Sequence, residues 1–127
     1  MKFKVVLPIL GFKDVKEFEL TPIEDNFYKL KNEEKDVCFT LINPFLIRND
    51  YDFEITKEEQ KALKIKNDTD FIVLNIMIVK EPFIDSTVNF AAPLIFNVDE
   101  KLMGQVILDK SNYGLTEPLK NFVKSKQ

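Results

Sequence analysis

Paired carboxylates are the groups in this chain best suited to chemistry. Asp50 and Asp52, Asp52 and Glu54, and Asp68 and Asp70 stand two apart, so on an extended strand each pair shares one face. Two carboxylates so placed can serve as acid and base on a glycoside or take part in holding calcium. Either use also needs a cleft or a loop dense in oxygen ligands, and neither has a signature here. A solvated acidic face is the reading these pairs support. Histidine is absent from the sequence, which removes Ser-His-Asp and Cys-His nucleophiles and most zinc and iron sites. Cys38 stands alone, so no intrachain disulfide or thiolate cluster can form. Its place between Val37 and Phe39 reads as a small buried hydrophobe rather than an activated thiolate. Gly11, Gly104 and Gly114 lie too far apart to cradle a phosphate. The expectation is a non-enzymatic protein without metal or cofactor.

The elements that carry these groups read as short strands. Runs rich in β-branched and aromatic residues recur between turn clusters, the pattern of an antiparallel sandwich or barrel with about eight or nine strands. Strands are predicted at Lys2 to Leu7, Glu17 to Thr21, Phe27 to Lys31, Val37 to Ile42, Asp50 to Ile55, Asp70 to Lys80, Thr87 to Phe90, Leu94 to Val98 and Gln105 to Leu108. Asp70 to Lys80 is the longest apolar stretch and reads as a strand buried on both faces, with a buried helix as the competing reading. Thr56-Lys57-Glu58-Glu59 is a capping box, so a short helix should follow and end near Leu63 or Lys64. From Thr116 to Lys126 a second helix is predicted, with Leu119, Phe122 and Val123 on one face and lysines toward its carboxyl end. The fold class expected is all-β, mostly antiparallel: a small β-barrel-like domain spanning 1–127, with one internal and one carboxyl-terminal helix.

Composition narrows the partners. The chain has 127 residues, 45% of them hydrophobic and 31% charged, which fits a globular protein rather than a disordered or membrane-embedded one. Eighteen lysines and arginines against 21 acids give a net charge of -3, and the lysines are scattered among acids. A basic stripe for phosphate backbones is missing, so direct nucleic-acid binding is not expected. No apolar stretch long enough for a signal peptide precedes Pro8, and the lone cysteine suits a reducing compartment, so a cytoplasmic location is expected with no membrane partner. Phenylalanine dominates the aromatics, with 12 Phe, 3 Tyr and no Trp.

Two aromatic stretches stand out from the core pattern. Asn43-Pro44-Phe45-Leu46-Ile47 with Asp50-Tyr51-Asp52-Phe53 surrounds a proline-broken strand end, and Glu81-Pro82-Phe83-Ile84 repeats the theme at a turn. Such loop aromatics either fold back over a barrel end or form a rim where a partner docks. A barrel with surface phenylalanines can also stack single-stranded bases, which is the alternative function.

Several ordered blocks resemble the bacterial flagellar assembly factor FliW family. They are Ile9-Leu10-Gly11-Phe12, Leu41 to Leu46 with Asp50 to Phe53, Lys80-Glu81-Pro82-Phe83, Ser86 to Phe90 leading to Ala92-Pro93-Leu94-Ile95, Asn97-Val98, and Gln105 to Leu108. The resemblance implies a small β-barrel-like fold and a protein-binding role without catalysis. Its implied partners are flagellin and CsrA, the translational repressor of flagellin synthesis, which the factor antagonises. The positions it suggests for partner binding are Asn43, Pro44, Phe45, Asp50, Tyr51, Asp52, Phe53, Pro82 and Phe83. Asn89, Pro93 and Gln105 match the same blocks and read as structural.

Overall fold

The computed structural model describes residues 1–109 and 112–122. Among these the chain forms β1 (Lys2–Leu7), β2 (Glu17–Glu24), β3 (Phe27–Asn32), β4 (Val37–Ile42), α1 (Lys57–Leu63), β5 (Phe71–Ile78), β6 (Thr87–Val88), β7 (Leu94–Asn97), β8 (Leu102–Gln105) and β9 (Glu117–Pro118). Single 3-10 turns lie at Pro44–Leu46, Phe83–Asp85 and Leu119–Asn121. Asn26 and Asp36 take positive φ of 71° and 53° in the β2–β3 and β3–β4 turns, a region those short polar side chains tolerate.

The strands follow one another round a ring in the order β4-β3-β2-β1-β8-β7-β5. β5 then pairs back onto β4 through Thr40–Met77, Leu41–Ile76 and Ile42–Asn75, and seven strands close a barrel. β6 pairs with the end of β5 and carries β9 on its other side. Every pairing is antiparallel except β1 with β8. The expected mostly antiparallel barrel with one short internal helix is the fold observed.

Alternation sends one set of side chains inward. Phe3, Phe18, Leu20, Leu30, Leu41, Leu74, Leu94, Phe96 and Met103 fill the barrel, with the Phe3 and Phe96 rings edge to face at 5.1 Å. The alternate residues Ile42, Val73, Met77 and Ile95 belong to two further apolar clusters outside the barrel wall. Tyr51, Leu63, Val88, Phe90 and Val106 are their other buried members, with Phe53, Ile55, Leu108, Tyr113 and Phe122 packed against them. β5 is thus covered on both faces, which explains its unbroken apolar run and excludes the helix reading. Parallel β1 approaches β8 so closely that a Cβ on Gly104 would lie 2.5 Å from Leu7 Cβ. That glycine is a packing requirement.

The capping box forms as its residues dictate. Glu59 N–H donates to Thr56 Oγ1 at 3.1 Å, and Thr56 N–H donates to Glu59 Oε1 at 2.8 Å. Lys64, at φ 56°, ends α1. Buried Leu63 holds the helix on the barrel, and its carbonyl accepts from Asn97 Nδ2 at 2.8 Å.

Four expectations need correction. Asp50 to Ile55 joins no ladder: its alternating side chains are satisfied by packing on the barrel's outer wall, and alternation alone does not report a hydrogen-bonding neighbour. The last barrel strand is Leu102–Gln105, not Gln105 to Leu108; Val106 leaves the ladder, although its N–H still reaches Pro93 O at 3.0 Å. Cys38 is exposed, because Val37, Phe39 and Leu41 take the inward positions and the cysteine takes the other face. In the predicted carboxyl-terminal helix, Glu117–Pro118 is a strand paired with β6 and Leu119–Asn121 a 3-10 turn. Its remaining part, 123–126, lies outside the described residues.

Candidate partner-binding site

The two 3-10 turns that carry the loop aromatics both approach the start of β3. Asn43 donates its backbone N–H to Asn26 O at 2.8 Å and its side-chain amide to Asn26 Oδ1 at 3.0 Å. Its own Oδ1 accepts the Phe45 N–H at 3.1 Å, so Asn43 caps the turn and Pro44 starts it with a preset φ. On the next residue of β3, the Phe27 ring faces Phe83 at 6.1 Å. The turns leave Phe45 42%, Leu46 52%, Phe83 47% and Ile84 38% exposed, and nearby in the chain Ile78 and Val79 are also exposed. Large apolar groups left in water on turns near one strand end are candidates for a docking surface.

Behind Phe45 lies a chain of rings. Tyr51 is 5.9 Å from Phe45, 5.2 Å from Phe53, 5.2 Å from Phe90 and 4.8 Å from Tyr113. Its hydroxyl donates to Phe90 O at 2.6 Å and accepts from Asn75 Nδ2 at 3.2 Å. Tyr51 is therefore a buried keystone with both hydrogen-bonding roles filled. Burial pushes its phenol well above the ordinary value, with the Asn75 hydrogen bond acting in the opposite direction.

That shift has a signed consequence. An unfolded chain loses a tyrosine proton near pH about 10, while the folded chain keeps it. Tyr51 adds no pH dependence below that point. Above it stability is expected to fall by up to about 1.4 kcal/mol per pH unit. Denaturation at about pH 9 and about pH 11 measures the slope, and Tyr51→Phe should remove this residue's share.

Arg48, the one arginine of the chain, ties the cluster to the carboxyl-terminal segment. Its guanidinium lies 4.9 Å from the ring centres of Phe90, Tyr113 and Phe122. Arg48 Nη1 also pairs with Glu117 Oε1 at 3.0 Å, both side chains being 21% exposed. Glu117 Oε2 accepts the Gly114 N–H at 2.6 Å. A planar cation can stack and pair at once, which a lysine cannot do. The sequence reading passed over Arg48; its being a lone arginine among many lysines was the available signal.

Of the nine positions suggested from sequence, Asn43, Pro44 and Tyr51 are built into this scaffold. Phe45, Asp50, Asp52, Pro82 and Phe83 are exposed and Phe53 is half-buried. Tyr113 fixes the main chain at Asp52, its hydroxyl lying 3.1 Å from both the N–H and the carbonyl oxygen. Leu46 and Ile84 share the exposed turns and were not among the nine. Among the described residues no three His, Cys, Asp or Glu side chains gather into a metal-binding group. No helix there is long and apolar enough to cross a membrane.

A family model described as FliW protein matches residues 2–119. The chain belongs to the FliW family. It is 49% identical to flagellar assembly factor FliW 2 of Wolinella succinogenes over 98% of this chain and 94% of that protein. Flagellar assembly factor FliW of Sulfurimonas denitrificans is 43% identical over 98% of this chain and 99% of its own length. The FliW of Campylobacter lari is 42% identical over 98% of each. A crystal structure of the flagellar assembly factor FliW superposes with a TM-score of 0.87 at 31% identity, covering 93% of this chain and 84% of that one. The chain is thus a member of a family of flagellar assembly factors, with the FliW barrel.

Proposed function

We propose that this chain works as a single cytoplasmic unit, residues 1–127, that holds flagellin and the repressor CsrA in turn and so couples flagellin level to flagellin translation. The observation that carries this reading is the set of exposed apolar side chains on two turns near the start of β3. Phe45 and Leu46 stand on one, with Phe45 packed on buried Tyr51, and Phe83 and Ile84 on the other, with Phe83 packed on Phe27. Membership in a family of flagellar assembly factors supports flagellar partners for that surface. Regulation then needs only two competing equilibria close enough in free energy for flagellin concentration to tip the balance. Bound flagellin leaves CsrA free to silence its message. Exported flagellin leaves the barrel to CsrA, which is lifted from the message. No catalytic step enters this scheme.

Co-purification with the tagged chain from flagellin-rich and flagellin-poor cells tests it. CsrA should accompany the chain when flagellin is scarce, and flagellin when it is abundant. Recovery of neither partner in both backgrounds, or tight binding of single-stranded RNA by the isolated chain at low salt, overturns the proposal.

A further inference from the structure

A second surface starts next to Tyr51 in the chain. The run from Asp52 to Ile55 and the segment Ile107 to Asp109 border a groove of about 550 Å³. Its apolar lining comes from Phe53, Ile55, Leu108 and Ile107, the last 47% exposed. Carboxylates of Asp52, Glu54 and Asp109 line it beside Glu59, whose carboxylate caps α1, and no lysine or arginine is among the described residues that line it. None of Asp52, Glu54 and Asp109 makes an ion pair among the described residues.

The acidity is local. On the β1–β3 face, lysines Lys2, Lys29 and Lys31 are interleaved with Glu17 and Glu19, and the groove beside α1 carries four lysines. A net charge of -3 spread evenly would not give one groove only acids.

The main chain here is also unused. Phe53 and Glu54 offer N–H and C=O groups with no hydrogen-bond partner among the described residues, yet their side chains alternate as on a strand. An unladdered run with one packed face is a template for strand addition. Apolar side chains of an added strand would meet the groove lining, and its alternate side chains would meet the carboxylates.

We infer that this groove takes an extended segment of a protein partner in which basic and apolar residues alternate, paired through its backbone with Phe53 and Glu54. The inference rests on the reading of the chain as a protein-binding factor and names the chemistry of one docking segment. Complementary charge speeds the encounter and fixes the sign of the partner, while the backbone ladder and apolar lining hold it.

The probe is a fluorescein-labelled peptide of about ten residues alternating lysine and valine. Fluorescence anisotropy with the full chain should show it binding at least about tenfold more tightly than a peptide of the same composition with its lysines in one block. Glu54→Lys with Asp109→Lys should weaken binding about tenfold or more, while Glu34→Lys, on the exposed β3–β4 turn, should change it less than about twofold. N-methylation of alternate peptide amides should also weaken binding about tenfold. Equal binding of the two peptides, equal loss from Glu34→Lys, or indifference to N-methylation would each overturn the inference, and the peptide arms do so independently of how the variants fold. Peptide binding that fails while flagellin and CsrA still co-purify removes the groove and leaves the proposed function standing. Peptide binding that succeeds while neither partner is recovered does the reverse.

Discussion

Replacing Tyr51 by alanine is expected to lower the unfolding free energy by about 3–5 kcal/mol, a large share of what a domain of this size possesses. The side chain is 4% exposed and touches Phe45, Phe53, Phe90 and Tyr113. Truncation removes the ring from the middle of that cluster and leaves a cavity that four other rings cannot all relax to fill. It also strips Phe90 O of its donor and Asn75 Nδ2 of one of its acceptors. Tyr51→Phe separates the two effects: the ring stays, the hydroxyl goes, and a loss of about 1–3 kcal/mol is expected from the hydrogen bonds alone. Urea denaturation with an unchanged m-value measures both. A loss under about 1 kcal/mol for the alanine variant would show that the ring cluster does not hold this end of the barrel together.

Phe45→Ser combined with Phe83→Ser is expected to reduce flagellin affinity by at least about a hundredfold, since central aromatic anchors commonly carry about 2 kcal/mol or more each. Both rings are close to half exposed, so only their contacts with Tyr51 and Phe27 are lost with them. Unfolding free energy should therefore fall by less than in the Tyr51→Ala variant, by about 1–3 kcal/mol. The contrast with Tyr51 is the useful feature. One variant removes the support and fails as a fold, whereas the other removes the presented surface and fails as a binder. Titration calorimetry with purified flagellin reads the affinity. A value within about threefold of the unaltered chain would place the flagellin surface elsewhere.

Local patterns that coincide with burial were legible in the sequence. β1, β4 and α1 fall at their predicted limits, because alternation, a proline stop and a reciprocal cap each have one structural solution. β5 was legible as well, since only a strand covered on both faces needs an unbroken apolar run. Failures arose where a pattern had two solutions. Asp50 to Ile55 alternates like a strand, yet packing on the barrel wall accounts for its apolar side chains without a neighbour. Leu102-Met103-Gly104-Gln105 hid a strand because a glycine weakens strand propensity, and the need for that glycine comes from Leu7 across the parallel pairing. β9 contains only Glu117 and Pro118, too short to leave a period.

The candidate site was legible in outline. Proline-flanked aromatics at a strand end do mark the place where Phe45 and Phe83 emerge. What sequence could not give is the division of labour within it. Tyr51 sits between two aspartates and looks like a surface residue, but the carbonyl of Phe90, distant in the chain, draws its hydroxyl inward. Arg48 is likewise explained only by partners far along the chain, Phe90, Tyr113, Phe122 and Glu117. Such roles are set by tertiary proximity, which no local spacing encodes.

The central claim is that two macromolecules exchange on this barrel without chemistry. Titrating purified flagellin into a preformed complex of this chain with labelled CsrA, followed by size-exclusion chromatography of the label, tests it most directly. Release of CsrA in step with flagellin added, and recovery of its ability to bind RNA, is the predicted result. CsrA that stays bound at saturating flagellin would contradict the account.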